Sequence, residues 1–188
     1  YQKLYNQGMI LAFAYETATG SKVPSDLVDE KEGKYFHTET GEELKQIVAK
    51  MSKSLKNVVN PDDVTKEYGA DSLRLYEMFM GPLDATKPWT DTGVKGVFNF
   101  LKRVYYFFAE PTNITYGEES METLKILHQT IKKVGKDIED MKFNTAISQM
   151  MIFTNHCYKV KKVTRQTAET FAKVLAPYAP HLAEELWE

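Results

Sequence analysis

The chain has 188 residues, with 24 Lys and Arg against 26 Asp and Glu, a formal charge of −2, and a hydrophobic share of 43%. That length allows one or two domains with their own cores but is short for a multi-step enzyme. The near balance of charge argues against a generic nucleic-acid binder, and no apolar run approaches the ~18 residues of a membrane span.

The chain begins at Tyr1 and stops at Glu188 directly after a helix-like segment, so it reads as an excerpt of a larger protein; the lone Cys157, with no signal peptide or membrane span in the sequence, fits a cytoplasmic location. Residues 1–14 open with a short helical or turn segment. An apolar run follows, Gly8-Met9-Ile10-Leu11-Ala12-Phe13, a candidate buried strand. From 15 to 49, β-prone pieces such as Lys34-Tyr35-Phe36-His37-Thr38 alternate with turn signals at Gly20-Ser21, Glu32-Gly33 and Thr40-Gly41. This predicts a small, solvent-exposed insert of hairpins.

Residues 47–49 lead into Lys50-Met51-Ser52-Lys53-Ser54, followed by Leu55, Lys56 and Asn57. Asn60-Pro61-Asp62-Asp63 then marks a helix start. Asn60 suits the N-cap, Pro61 the first helical position, and the two acids the positive end of the dipole. The stretch between is a mobile loop with two flexible cations, hydroxyls and free backbone N–H groups. Those groups suit a polyphosphate, with the ammonium groups meeting phosphate oxygens as point charges. The bland alternative is a solvated surface turn.

Gly69 reads as the stop of this helix. Asp71 is expected to cap a second helix over 72–80, with Leu73, Tyr76 and Met80 on one face and Arg74 as its ion-pair partner. Gly81-Pro82 ends it, and Trp89 in the next loop reads as a packing anchor. A strongly amphipathic helix is predicted over 91–109. Val94, Val97, Phe98, Leu101, Val104, Tyr105 and Phe108 take one side, and Lys95, Asn99, Lys102 and Arg103 the other.

After a connection at 110–120 the rest is helical. One segment carries Leu124, Leu127, Ile131, Val134 and Ile138. A second, capped near Asn144, carries Ile147, Met150, Met151, Phe153 and Cys157, whose lone thiol reads as buried. A third spans 165–175, and Pro177 and Pro180 separate it from a last short helix. Short links between long periodic segments predict an antiparallel bundle. The clusters Lys132, Lys133, Lys136 and Lys159, Lys161, Lys162, Arg165 read as solvated faces. His37, His128, His156 and His181 lack metal-ligand spacing and read as structural.

Lys50-Met51-Ser52-Lys53-Ser54 resembles the signature loop of class I aminoacyl-tRNA synthetases. With Asn60-Pro61, Tyr68-Gly69-Ala70-Asp71 and Arg74, it resembles the group that activates leucine, isoleucine, valine and methionine. Gly93-Val94-Lys95-Gly96, preceded by Trp89 and followed by Asn99, Phe100, Leu101 and Arg103, is similar to the bacterial-type leucyl-tRNA synthetases. Lys56 points the same way, since isoleucyl and valyl relatives usually carry glycine there. Residues 15–49 occupy the place of that family's leucine-specific domain. The closing Ala179-Pro180-His181-Leu182-Ala183-Glu184-Glu185-Leu186-Trp187 resembles the end of its anticodon-binding domain.

The resemblance implies a mainly α chain with a small α/β and β-rich N-terminal part. Residues 1–14 would end a Rossmann-type catalytic domain, 15–49 form the β-rich insert, 50–90 hold the signature loop and a helical connector, and 91–188 form a truncated anticodon-binding bundle. It implies leucine activation by ATP and transfer to leucine tRNA, with magnesium accompanying ATP, no metal site in this stretch, no membrane, and a monomeric full enzyme. Lys53 would be the catalytic cation. Lys50, Met51, Ser52, Lys53 and Ser54 would bind ATP, and Lys102 and Arg103 would face tRNA. The family's His-x-Gly-His segment is missing from this sequence, so the stretch is expected to be inert alone. The alternatives are an isoleucyl, valyl or methionyl relative, or a non-catalytic helical module that binds tRNA or protein.

Overall fold

Small side chains at alternate positions let the first strand lie close under its neighbours. In β1 (Ile10–Glu16) Ala12 and Ala14 are buried while Phe13 between them is half-buried. A computed structural model describes residues 4–188. They divide into one unit made of residues up to Asp62 with Asp84–Asp91, and a second made of Asp63–Leu83 with Thr92–Glu188.

The first unit is a sheet. β1 is joined by β2 (Lys22–Val23), β3 (Val28–Lys31), β4 (Lys34–His37), β5 (Glu43–Ala49) and β6 (Lys87–Pro88), in the order β2-β1-β5-β4-β3 with β6 on β1. All pairs are antiparallel except β1 with β6. The three predicted turns fall between strands, at Thr17 to Gly20, at Glu32-Gly33, and at His37 to Gly41. Trp89 is buried; its backbone N–H donates to Leu11 O at 2.8 Å and its Nε1 to Asp91 Oδ1 at 3.0 Å.

The strand starts at Ile10 rather than Gly8, and residues 4–9 carry no helix. A Cβ on Gly8 would lie 2.1 Å from Ala85 O, so this position is a close backbone crossing. Residues 1–3, where the expected opening segment begins, lie outside the described residues. The junction expected between 14 and 15 falls inside β1, whose pairing continues to Glu16↔Lys45.

The second unit is helical: α1 (Pro61–Tyr68), α2 (Ala70–Phe79), α3 (Asp91–Phe108), α4 (Met121–Glu139), α5 (Phe143–Val160), α6 (Arg165–Leu175) and α7 (Pro180–Glu185), with α1 and α3 each beginning in the first unit. α4 and α5 pack most extensively and are joined only by Asp140, Met141 and Lys142. A short parallel bridge, β7 (Ile114–Thr115) with β8 (Val163–Thr164), clasps the α3–α4 connection to the α5–α6 connection. At the centre Phe171 lies 4.8 Å from Phe153 and 5.2 Å from Phe108, ring centre to ring centre.

The buried faces differ from the periodicity in informative ways. In α3 they are Val94, Val97, Phe100, Leu101, Val104 and Phe107, while Tyr105 is 41% exposed. A run of four aromatics, Tyr105 to Phe108, fits either phase of the helix, and the phase that buries the two without hydroxyls more deeply prevails. In α4 the seam is Thr123, Leu127, Thr130, Val134 and Asp137; Ile131 and Ile138 lie at the surface. Each seam polar group is satisfied. Thr123 Oγ1 meets His156 Nε2 at 2.9 Å, Thr130 Oγ1 donates to Ile126 O at 2.8 Å, and Asp137 accepts from Thr145 Oγ1 and Lys133. α5 begins at Phe143, so Asn144 lies within its first turn rather than capping it; Met150 is core and Met151 only half-buried.

Asp71 is the largest correction. It lies in the first turn of α2, after Gly69 (φ +87), and does not cap that helix. Its carboxylate instead accepts from His181 N at 3.4 Å, His181 Nδ1 at 2.8 Å and Leu182 N at 2.8 Å, capping α7 from 110 positions away. Arg74 donates to Pro177 O at 3.1 Å rather than pairing with Asp71. The buried face of α2 is Asp71, Ser72, Leu75 and Tyr76, in place of the expected Leu73 and Met80. Tyr76 also explains Gly93: a Cβ there would lie 2.4 Å from the tyrosine ring.

Candidate functional site

Between β5 and α1 the chain makes one 3-10 turn, Lys53–Leu55, ended by Lys56 in the left-handed region at φ +50. Asn60 Oδ1 accepts the Asp62 N–H at 3.1 Å, the expected N-cap that starts α1. Asn57 is the buried pin of the loop. Its Oδ1 accepts the Ser52 N–H at 2.9 Å and its Nδ2 donates to Phe13 O on β1 at 3.2 Å. Ser52 Oγ and Ser54 Oγ are 2.7 Å apart and form one hydrogen bond in which either hydroxyl can be the donor.

Lys50 and Lys53 are exposed, Met51 and Ser52 half-buried, and Ser54 exposed. Among the described residues, neither Lys50 nor Lys53 has an ion-pair partner. Lys56 is engaged, with Nζ on Asp26 Oδ2 at 2.5 Å, and its hydrogen bond holds the Asp26 carboxyl below the usual carboxylate range. The structure therefore leaves two lysines available and commits the third. Exposed cations beside hydroxyl donors suit an anion with several oxygens.

Lys102 and Arg103 lie on α3 in the helical unit. Lys102 Nζ stands 5.5 Å from the Phe98 ring centre and 5.9 Å from that of Tyr106. It lines a cleft of about 220 Å³ with Tyr68, Phe98, Tyr105 and Tyr106. Arg103 is held differently. Its Nη2 donates to Asn155 Oδ1 at 2.8 Å, its guanidinium sits 4.9 Å from the Tyr158 ring centre, and Tyr158 OH donates to its carbonyl at 2.9 Å. It braces α3 against α5. Sequence reasoning missed Asn57 as a pin and Asp26 as a partner; neither is marked by periodicity, and only the fold brings them to the loop.

Several other chemistry-bearing groups are engaged inside the helical unit. Burial pushes the Cys157 thiol up to about 12, so it stays protonated and unreactive. His156 is buried against Thr123, and His181 sits on Asp71. Of the basic clusters, Lys133 meets Asp137, Lys136 Asp140, Lys159 Glu122 and Arg165 Glu169.

Two family models match the chain: tRNA synthetases class I (I, L, M and V) over residues 45–86, and the anticodon-binding domain of tRNA ligase over residues 121–188. The chain is 51% identical to a leucine–tRNA ligase of Borrelia hermsii over all 188 residues, and spans 22% of that protein's length. A crystal structure of an Agrobacterium radiobacter K84 LeuRS in ternary complex with tRNA and LeuAMS superposes on 98% of the chain and 22% of the LeuRS, with a TM-score of 0.70 and 29% identity. A Mycobacterium tuberculosis methionyl-tRNA synthetase bound by methionyl-adenylate aligns over 94% of this chain and 70% of its own, with a TM-score of 0.56 and 9% identity. That last likeness concerns the fold alone.

Proposed function

This chain belongs to the class I tRNA synthetases, in their leucyl branch, and on that premise we propose that it supplies the signature loop and part of the tRNA-binding surface of a leucine–tRNA ligase. In the reaction, the leucine carboxylate attacks the α-phosphate of ATP, forming leucyl-adenylate and releasing pyrophosphate. The aminoacyl group then passes to the 3′ end of leucine tRNA. The enzyme works in the cytoplasm, as a monomer. The parallel β1–β6 pair fits the closing edge of a Rossmann-type sheet.

The observation that carries the reading is the exposed, uncommitted Lys53 on a loop pinned at its base by Asn57. Negative charge grows on the leaving pyrophosphate as the reaction proceeds. A cation that meets it only then stabilises the transition state more than the ground state. Lys53 is that cation. Lys50 holds the phosphates, Ser52, Ser54 and the loop N–H groups donate to oxygens, and Met51 covers the site. Magnesium accompanies ATP, but the loop offers cations and hydroxyls rather than metal ligands, so no step runs through a metal held here. Lys102, on its aromatic cleft, and Arg103 contribute to the surface that meets the tRNA backbone.

The test is amino-acid-dependent ATP–pyrophosphate exchange by the full-length enzyme, with and without Lys53→Ala. Exchange with leucine that falls about 10²-fold in the variant is expected. Exchange with isoleucine, valine or methionine instead would overturn the substrate, and an undiminished variant would remove Lys53 from the mechanism.

A further inference from the structure

We infer that the Lys56–Asp26 ion pair is a latch through which the β-rich segment positions the signature loop, Lys56 being a positioning residue; the inference rests on the proposed reading of that loop. Two features single it out. Lys56 is one of four non-glycine residues with positive φ among the described residues, a conformation unfavourable for lysine and neutral for glycine. A glycine here would satisfy the backbone better, so the side chain is what a lysine adds. That side chain spends its charge on a carboxylate 30 positions upstream.

Asp26 is the end of the latch that the β-rich segment carries. It sits on the 3-10 turn Ser25–Leu27, which follows Pro24 and is closed by Leu27 N to Pro24 O at 3.0 Å. Thr38 N donates to Leu27 O, also at 3.0 Å, tying this turn to the end of β4. At the other end, the Lys56 N–H donates to Lys53 O at 3.3 Å, so Lys56 closes the turn that carries Lys53. The next residue, Asn57, anchors to β1 through Phe13. The limb of the loop after Lys53 thus has two adjacent anchors, one in the sheet and one on the outlying turn. A shift of the turn at Ser25–Leu27 moves the Lys53 backbone through a single exposed pair, with side-chain exposures of 60% and 46%. Such a pair is made and broken readily, and salt weakens it.

The experiment uses the full-length enzyme. Asp26→Asn removes the partner, while Lys56→Gly keeps the backbone conformation and removes the tether. Each is expected to raise KM for ATP about two- to five-fold, the span set by an exposed pair, with kcat and melting temperature little changed. The gap from wild type should close as salt rises. The exchanged pair Asp26→Lys with Lys56→Asp, in which aspartate tolerates positive φ, should restore the wild-type value. In hydrogen–deuterium exchange, amides of residues 52–57 should exchange faster in Asp26→Asn. Unchanged KM together with unchanged amide exchange at low salt would overturn the latch. If wild type shows no leucine-dependent exchange, the functional reading fails, and the amide-exchange arm still decides whether the pair holds the loop.

Discussion

In the loop-bearing unit the buried side chains are small or few (Ala12, Ala14, Val23, Leu44, Trp89 and the polar Asn57), and position is set by backbone pairing and side-chain hydrogen bonds. In the helical unit Phe107, Phe153, Phe171, Leu75, Ile147, Met150 and Tyr178 are sealed from water. Burying large apolar side chains contributes about 1.5–3 kcal/mol each, so the helical unit carries most of the hydrophobic stabilisation. The sheet unit is ordered by directional bonds that can be remade one at a time. Support of the second kind lets a loop move without unpacking a core, and support of the first kind keeps a surface in shape.

The comparison can be broken in four places. The largest effect is expected from Phe153→Ala, which empties the centre of the helical unit and should cost about 3–5 kcal/mol by chemical denaturation. Amide exchange in residues 50–60 should stay unchanged; parallel loosening would show that the two units are not separately supported. Next comes Lys53→Ala, with a loss of about 10²-fold in pyrophosphate exchange, or ~2.7 kcal/mol of barrier, at unaltered stability. Activity and stability falling together would undo the contrast.

Asp71→Ala should cost about 1–2 kcal/mol, the range of a lost helix cap, and release α7 to faster amide exchange while α2 stays intact. The smallest effect is acid-linked. Burial raises the Glu119 carboxyl, but hydrogen bonds from Thr164 N, Ser120 N and Thr167 Oγ1 outweigh it and hold the group below the ordinary glutamate range. A depressed folded value means stability that is complete above the unfolded value and is lost as pH falls through the folded one. Glu119→Gln should flatten the acid limb of the stability–pH curve of the helical unit; an unchanged limb would assign that slope elsewhere.

What could be read from the sequence was mostly local. The signature loop, the Asn60-Pro61 helix start, the stop at Gly69 and the three hairpin turns depend on residues a few positions apart, and the structure contains each of them. What escaped depends on distant partners or on a choice between equivalent phases. Asp71 reads as a local cap until α7 is folded against it. Ile131 and Ile138 outrank Thr123 and Thr130 in hydropathy, yet the threonines lie inside because His156, Ile126 and Gln149 satisfy them. At the loop, residue types marked the donors, but Asn57 and Asp26 acquire their roles only when β1 and the turn at Ser25–Leu27 arrive beside it.

The 110-position span between Asp71 and its partners also has a meaning during translation. At roughly 5–20 residues per second, the ribosome needs on the order of 5–20 s after making Asp71 to make His181 and Leu182, and longer to free them from the exit tunnel. Throughout that interval the carboxylate lacks the N–H groups that compensate its burial, so α2 is left with one face that is costly to dry. Docking of α7 on α2 therefore waits until His181 and Leu182 are available.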